Sequence, residues 1–360
     1  MIYVHIPFCH RKCTYCAFYS RPAAAEARME AYVERLVAEM EARRAEQVHP
    51  IRTVYFGGGT PSILPMDLLS RIVHALRRWY DLSHLEEATA ECNPEDVTPQ
   101  YAAALAALGF FNRVSLGVQS TDDEALHLIG RRHSAAQAAE AVARLGEAGF
   151  DNISVDFIYG LPTDFRLPDI DLAPVSHVSA YALTVEEGTA LAAQVQRGRV
   201  ALPGDDEVAR QYFALRDFLE RQGFEQYEVS NYARAGRRSV HNSRYWNRTP
   251  YLGLGAAAHS FDGRSRRWNV ADVDAYCRGE EGGGETLTAA DAFNELLMTA
   301  LRTTDGLSLR LVPEEYRERL HAAVQPYIRC GWIVFEGGCY KPSAEGLLHA
   351  DGMAAALFVA

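Results

Sequence analysis

Six short β-rich runs alternate with longer helical patterns through the first half of the chain. The predicted strands are Ile2–Val4, Thr53–Phe56, Ala88–Cys92, Arg113–Gly117, Ile153–Ile158 and Val178–Leu183. The helical patterns between them are Ala24–Glu46, Leu68–Tyr80, Pro99–Leu108 and Ala135–Ala148. This alternation predicts parallel strands covered by helices, because parallel neighbours need a long crossover between them. The sequence therefore predicts an α/β fold, an open or partial (β/α)6 barrel.

One crossover departs from the alternation. Between Ile158 and Val178 the chain reads YGLPTDFRLPDIDLAPVSH, with prolines at 162, 168 and 174. Proline removes a helical hydrogen bond and restricts the residue before it. We expect any helix in this crossover to be two turns long or shorter.

The second half of the chain predicts two further parts. A helix at Asp205–Gln222 precedes a stretch rich in Gly, Tyr and Trp, and the glycine-rich run Gly279–Glu285 predicts a linker. The elements predicted beyond the linker are helices at Ala289–Leu301, Glu314–His321 and Ser343–Asp351 and strands at Trp332–Phe335 and Cys339–Lys341. We expect a partial barrel over residues 1–200, a segment that extends it over 201–284, and a C-terminal α+β winged-helix-like domain over 285–360.

Composition narrows the functional classes. The net charge of −11 argues against a nucleic-acid partner, which needs neutralised phosphates. No apolar run approaches the roughly 20 residues that span a bilayer, so membrane contact would be peripheral at most. The N-terminus does not read as a secretory signal, and seven cysteines do not suit a disulfide framework. These features predict a cytoplasmic protein.

Three cysteines follow the first predicted strand directly. Cys9, Cys13 and Cys16 have C-x3-C-x2-C spacing, which lets three thiolates hold three irons of a cubane and leaves the fourth iron open. An open iron can chelate the amino and carboxylate groups of a methionine moiety, and an electron from the cluster can then split a sulfonium bond. The alternative is a zinc site with His5 or His10 as fourth ligand. Zinc sites usually have a second ligand pair, and none is evident in the sequence.

The run YVHIPFCHRKCTYCAF resembles the radical S-adenosylmethionine (SAM) proteins of the oxygen-independent coproporphyrinogen III oxidase family. The resemblance covers nearly the whole chain. It implies a radical SAM barrel with a [4Fe-4S] cluster on the three cysteines, SAM as a second cofactor, and an electron donor for the cluster.

Further residues at the ends of predicted strands match this expectation. The family uses the loop Gly57–Pro61 for the methionine amine, and glycines let a ligand approach the backbone closely. Glu91 could bind the SAM ribose or amine, although a solvated glutamate is an alternative. Asp156 lies in an otherwise apolar strand, where an unpartnered carboxylate is costly, so a ligand role is favoured. The residues expected around SAM, including an arginine for its carboxylate and two aromatic positions that match the family, are Tyr3, Tyr15, Gly58, Gly59, Thr60, Glu91, Gln119, Arg131 and Asp156.

The family has an oxidase branch and a haem chaperone branch, and three features favour the chaperone. The cysteine motif starts already at Cys9, whereas the oxidase branch resembles chains with a substantial leading segment. The oxidase has a further cysteine two residues after the third, where this chain has Phe18. The run His241-Asn242-Ser243-Arg244-Tyr245-Trp246 matches the H-N-x-x-Y-W motif that the chaperone branch associates with haem binding.

These features predict a haem-binding protein that delivers haem to haem-requiring respiratory proteins. His241, Tyr245 and Trp246 are the expected haem residues, although an isolated histidine would more often be a core residue. His259 is a second candidate iron ligand, and Cys277, Cys330 and Cys339 are expected to be small buried residues. Oxidative decarboxylation of coproporphyrinogen III to protoporphyrinogen IX is the alternative, and a radical SAM enzyme for another substrate remains a third.

Overall fold

The computed structural model describes residues 1–22, 26–46 and 50–359. The strands of this part are β1 (Ile2–Ile6), β2 (Phe8–Cys9), β3 (Arg21–Pro22), β4 (Thr53–Gly58), β5 (Glu87–Cys92), β6 (Arg113–Gln119), β7 (Ile153–Tyr159), β8 (Val175–Ala182), β9 (Glu225–Gln226), β10 (Asn231–Ala233), β11 (Leu252–Leu254), β12 (His259–Phe261), β13 (Ser265–Trp268), β14 (Gly283–Thr286), β15 (Leu307–Ser308), β16 (Ile333–Glu336) and β17 (Cys339–Pro342). The α-helices are α1 (Glu26–Ala42), α2 (Met66–Trp79), α3 (Pro99–Ala107), α4 (Asp123–Leu128), α5 (Ala135–Glu147), α6 (Ala190–Gln196), α7 (Asp205–Arg221), α8 (Val240–Trp246), α9 (Val273–Cys277), α10 (Ala289–Ala300), α11 (Glu314–Arg329), α12 (Ala344–Leu348) and α13 (Ala350–Leu357).

The main sheet has nine strands in the order β11-β1-β4-β5-β6-β7-β8-β10-β9. The six strands predicted from the sequence are its central neighbours and pair in parallel, which confirms the partial (β/α)6 barrel. The segment after residue 200 extends both edges, because β11 pairs in parallel with β1 and β10 pairs antiparallel with β8.

The helices form where apolar residues recur at helical spacing and a polar residue caps the first turn. In α2, Leu69, Ile72, Val73 and Leu76 lie on one buried face. Ser134 begins α5 with a capping box. Three of the four predicted barrel helices begin and end within two residues of α2, α3 and α5. The first prediction runs four residues past the end of α1 at Ala42, and its start at Ala24 lies outside the described residues.

The crossover from β7 to β8 contains no helix between residues 160 and 174, which confirms the expectation from its prolines. Arg234 holds the end of this crossover: its guanidinium donates to the carbonyl oxygens of Leu172 at 2.9 Å and Val175 at 2.9 Å. The crossover is therefore an ordered irregular segment.

The prediction of a linker at Gly279–Glu285 is wrong. Its second half is β14, which pairs antiparallel with β13 in a small sheet of three strands. A Cβ atom at Gly283 would lie 2.7 Å from the ring of Trp268. Glycine is therefore needed there so that the strand can approach the indole ring closely. From the sequence alone, such a glycine cannot be distinguished from the glycines of a flexible linker.

The C-terminal elements enclose their own apolar core beneath the small sheet β15-β17-β16, as expected for an α+β winged-helix-like domain. One predicted helix, Ser343–Asp351, is divided at His349 into α12 and α13. The expectation of three buried cysteines in the later part of the chain is also wrong. Cys330 is exposed at the end of α11, and Cys277 and Cys339 are half-buried.

In the part of the chain that the structure describes, every helix is too short or too polar to cross a membrane.

Candidate SAM and haem sites

The cysteine loop leaves β1 at the carboxyl end of the sheet. Cys9, Cys13 and Cys16 are half-buried and free of disulfides. The Thr60 hydroxyl lies 3.5 Å from Cys9 Sγ, and Arg131 Nη1 lies 3.6 Å from Cys13 Sγ. The sulfur atoms of Cys9 and Cys13 therefore each have a hydrogen-bond donor directed at them. Burial raises the pKa of the Cys9 and Cys16 thiols. Three thiols on one short loop are the soft donor set that iron–sulfur clusters use.

The two histidines of the zinc alternative are held by other groups. His5 is buried; it accepts from Tyr3 Oη at 3.0 Å through Nδ1 and donates to the Tyr19 carbonyl oxygen at 3.0 Å through Nε2. Burial lowers the pKa of His5 to about 4. His10 Nε2 lies 2.9 Å from Asp96 Oδ1. Within residues 1–22, 26–46 and 50–359, no three His, Cys, Asp or Glu side chains converge as ligands of one metal ion.

The glycine loop after β4 lies against β1. Gly58 has a φ of +107°, and a Cβ atom there would lie 2.3 Å from the His5 ring. A Cβ at Gly59 would lie 2.6 Å from the Phe8 carbonyl oxygen, while its own amide donates to Ile6 O at 2.8 Å. Any side chain at either position would push the loop away from β1, so both glycines are required by close approach.

Asn93 connects the glycine loop to Arg131. Its amide nitrogen donates to Thr60 Oγ1 at 3.2 Å, and its Oδ1 accepts from Arg131 Nη2 at 2.7 Å. Arg131 Nη2 also donates to the Gly117 carbonyl oxygen at 2.6 Å, whereas its buried Nε has no partner in the described part of the chain. Arg131 is therefore fixed at the end of β6 with one donor still unused.

Two carboxylates face the interior of the barrel beside this network. Glu91 accepts from Tyr55 Oη at 2.7 Å and from the Gly58 amide at 3.2 Å. Burial raises the pKa of Glu91 to about 7, and the nearby Asp156 carboxylate adds to the effect. The pKa of Asp156 is also raised by burial, although Ser115 donates to it at 3.4 Å. A cationic amine between the two carboxylates would be favoured over two buried anions alone.

Gln119 ends β6 in a left-handed conformation, with φ of +67°, next to a register shift between Leu116 and Gln119. Such a conformation is uncommon outside glycine and is often found at functional sites. Gln119 also lines a cavity of about 40 Å³ with Phe157, Leu161 and Phe165, bounded by the helix-free crossover. Tyr15 packs nearby against Ile129 and Leu161, and burial raises its pKa.

Of the nine residues expected around SAM, five lie at or just beyond the carboxyl ends of β4, β5 and β6 and two lie on loops: Gly58, Gly59, Thr60, Glu91 and Gln119, and Tyr15 and Arg131. The other two lie within strands, because Tyr3 is the second residue of β1 and Asp156 is in the middle of β7. Two further residues of this region were not predicted: Tyr55, which donates to Glu91, and Asn93. His5 was considered only as a zinc ligand and lies against Gly58. Tyr55 precedes Gly57 by two residues, and a period of two would have placed it on the same inward face. Asn93 directly follows the end of β5, where side chains converge.

The H-N-x-x-Y-W motif forms α8, whose first turn is anchored by Glu87. The Glu87 carboxylate accepts from the amides of Val240 at 2.9 Å and His241 at 2.8 Å. His241 is 1% exposed; its Nδ1 is hydrogen-bonded to Thr53 Oγ1 at 2.8 Å and its Nε2 to Tyr245 Oη at 3.2 Å. Burial lowers the pKa of His241 to about 3. The histidine thus lies at the amino ends of the barrel strands, with both nitrogens engaged.

The other candidate haem residues are more accessible. Tyr245 and Trp246 are half-buried, and the buried Trp246 Nε1 has no hydrogen-bond partner in the described part of the chain. His259 is exposed on β12 and stacks on Trp268, with ring centroids 5.6 Å apart. His259 is thus separate from α8, in the small sheet β12-β13-β14.

Aromatic rings form a continuous row from the SAM side of the barrel to α8 and beyond. Neighbouring ring centroids are 4.9 to 6.2 Å apart. In order, the rings of this row belong to Tyr3, Tyr55, His241, Tyr245, Tyr251 and Phe261.

Comparisons with known proteins agree with this arrangement. Residues 3–167 match the radical SAM superfamily, and residues 287–349 match the HemN C-terminal domain. The chain is 36% identical to heme chaperone HemW of Mycobacterium tuberculosis H37Rv, covering 98% of this chain and 93% of that protein. It is 34% identical to heme chaperone HemW of Lactococcus lactis, over 88% and 84% of the two chains. Coproporphyrinogen III oxidase (HemN) from Escherichia coli shares the fold, with a TM-score of 0.83 at 21% identity over 99% of this chain and 89% of that one. Strand order, cysteine loop and near-full-length similarity together show that the chain belongs to the radical SAM family of HemW and HemN.

Proposed function

We propose that this protein is a haem chaperone that carries a [4Fe-4S] cluster, binds haem and delivers it to haem-requiring respiratory proteins. The observation that carries the proposal is the intact H-N-x-x-Y-W helix in a chain whose near-full-length relatives are named heme chaperones. Phe18, which is exposed and stands where the oxidase branch has a cysteine, supports the same conclusion. The cytoplasmic location remains a prediction of the sequence.

The cluster would be held by Cys9, Cys13 and Cys16, and a bound cluster would supply the electron that cleaves the SAM sulfonium bond. Thr60 and Arg131 place donors at two of the three sulfurs. For SAM, Glu91 and Asp156 offer negative charge to its amine and Arg131 offers positive charge to its carboxylate. Tyr3, Tyr15, Gly58, Gly59 and Gln119 would form the surrounding wall.

Haem ligation by His241 would require a rearrangement of α8. Its Nε2 is hydrogen-bonded to Tyr245 and its Nδ1 to Thr53, so an iron atom must displace one of these partners. Tyr245 and Trp246 lie on the more accessible side of the helix and would contact the porphyrin first. We propose that the buried His241 becomes a ligand only after Tyr245 moves, and His259 is the alternative ligand.

We also propose that the three sequence segments have separate roles. Residues 1–200 would form the cluster and SAM site, residues 201–284 would carry the haem motif, and residues 285–360 would form the C-terminal domain. The core of the C-terminal elements is distinct from that of the barrel and begins at Phe293, which supports a second boundary just after β14 rather than within it.

Two assays on one anaerobically reconstituted sample test the proposal. Haem titration should produce a saturable Soret band, and incubation with coproporphyrinogen III, SAM and a reductant should give no protoporphyrinogen. Efficient decarboxylation would place the chain in the oxidase class. Absence of haem binding together with turnover of another substrate would indicate a different radical SAM enzyme.

A further inference from the structure

A small cavity lies between α8, the hairpin β12–β13 and α10, on the side of the H-N-x-x-Y-W helix away from the barrel. Its volume is about 110 Å³. Tyr245, Tyr251 and Phe261 provide aromatic walls, and Met298, which is 44% exposed, lies at its rim. The cavity is thus the outer end of the aromatic row and includes a residue of the haem motif.

The charged groups of this cavity are two arginines and one glutamate. Arg248 Nη2 donates to Glu295 Oε2 at 3.2 Å, and Arg266 Nη2 lies 2.9 Å from Glu295 Oε1. One carboxylate therefore bridges two guanidinium groups, and the described lining has a net positive charge in a chain whose net charge is −11.

Both arginines retain donor capacity beyond this bridge. The buried Nε of Arg248 has no hydrogen-bond partner in the described part of the chain. Arg248 Nη1 donates to the Ala292 carbonyl oxygen at 2.7 Å. Arg266 is hydrogen-bonded to Tyr251 as well as to Glu295, and it reaches its other carboxylate, the half-exposed Glu285, only at 3.5 Å. Arg248 also has a φ of +58°, an uncommon backbone conformation for a residue other than glycine. Guanidinium groups bind carboxylates through paired, charge-assisted hydrogen bonds.

We propose that this cavity is a carboxylate anchor for one propionate-bearing edge of haem, with Arg248 and Arg266 as donors and the aromatic walls against the pyrrole. This inference rests on the proposed haem-binding function. A volume of about 110 Å³ is too small for a macrocycle, so only the edge enters and the remainder lies over the rim beside Met298. A tetracarboxylate porphyrin would satisfy the same chemistry.

Variants that each remove one charge from the cavity distinguish recognition of the haem carboxylates from packing against the porphyrin ring. Titrations at the Soret band would compare haem with haem dimethyl ester, which lacks both carboxylates, in one matched detergent buffer. R266Q should weaken haem binding about tenfold and leave ester binding unchanged. E295Q removes the competing carboxylate and should tighten haem binding several-fold, again with no change for the ester. R264Q, an exposed arginine on the same hairpin, is the matched control and should behave as wild type.

The outcomes distinguish this inference from the function on which it rests. The anchor is overturned, and the haem-binding function stands, if the wild-type protein binds haem and its ester with equal affinity. The same conclusion follows if R266Q and E295Q both lower the affinity for haem and for the ester by the same factor. If the wild-type protein binds no haem, both are overturned.

Discussion

Replacement of Glu91 by glutamine should stabilise the cofactor-free protein at alkaline pH. Glu91 lies between Tyr55, the Gly58 amide and the like-charged Asp156, and burial is the main cause of its raised pKa. A glutamine can keep both contacts, because its oxygen can accept from Gly58 and its amide can donate to Tyr55 Oη. The substitution therefore removes a buried charge without leaving a polar group unpaired.

The expected gain follows from the pKa. An acid whose pKa rises from 4.5 to about 7 on folding destabilises the native state as pH increases through that interval. At 1.36 kcal/mol per pKa unit the full effect is about 3 kcal/mol above pH 7, about 1 kcal/mol at pH 5 and close to zero below pH 4.

Urea unfolding followed by tryptophan fluorescence at pH 5 and pH 8 measures this difference. Glu91→Gln should exceed wild type by about 3 kcal/mol at pH 8 and by about 1 kcal/mol at pH 5. Glu147→Gln, at an exposed helix end, is the control and should differ from wild type by less than about 1 kcal/mol, the size of a helix-dipole effect. A Glu91→Gln protein that is no more stable than wild type at pH 8 would refute the burial argument. The same variant should bind SAM more weakly, because the amide cannot attract its amine.

Three further predictions concern the other parts of the two sites. The triple alanine variant of Cys9, Cys13 and Cys16 should lose the roughly four irons and the sulfide that a cubane contains, as measured by iron and sulfide analysis after reconstitution; full retention would exclude the cysteine loop. His241→Ala should alter the Soret spectrum, weaken haem binding and lower the free energy of unfolding by about 2 kcal/mol, because a buried ring and two hydrogen bonds are lost. An unchanged Soret titration would favour His259 as the iron ligand. Gln119→Gly should raise the melting temperature slightly, because it relieves up to about 1–2 kcal/mol of left-handed backbone strain, and it should reduce SAM affinity in calorimetry. A lower melting temperature would mean that the side chain contributes more to stability than its backbone conformation costs.

The parts of the fold that depend on local sequence pattern could be predicted. Alternating strands and helices define the barrel, and the prolines of the β7–β8 crossover limit any helix there to two turns; the structure has none. The SAM-site candidates come from the family resemblance together with their places in the sequence, and most of them stand where the carboxyl ends of parallel strands meet at one edge. Their role in SAM binding stays a prediction. Asn93 could have been added by the strand-end rule, and Tyr55 by the period of two along β4.

The errors arise where a residue type has two physical uses. Glycines at 279–285 indicate flexibility in sequence, yet Gly283 makes room for Trp268 within a strand. Cysteine is often buried, but Cys330 ends a helix at the surface. The hydrogen bond between His241 Nδ1 and Thr53 could not be predicted, because the two residues are 188 positions apart and no local pattern encodes that contact.

The pairing of β1 with β11 has a kinetic consequence. Ile2 and Leu252 are register partners, so β1 acquires its second neighbour only after some 250 further residues have been synthesised. At about 5–20 residues per second this delay is roughly 12–50 s, and closing a loop of that length costs about 5 kcal/mol of chain entropy. Until then β1 presents an unpaired apolar edge that directly precedes the cysteine loop, and such edges are prone to wrong pairing. Completion of the sheet on both sides of the strand that leads into the cysteine loop is therefore a late event in the life of the nascent chain.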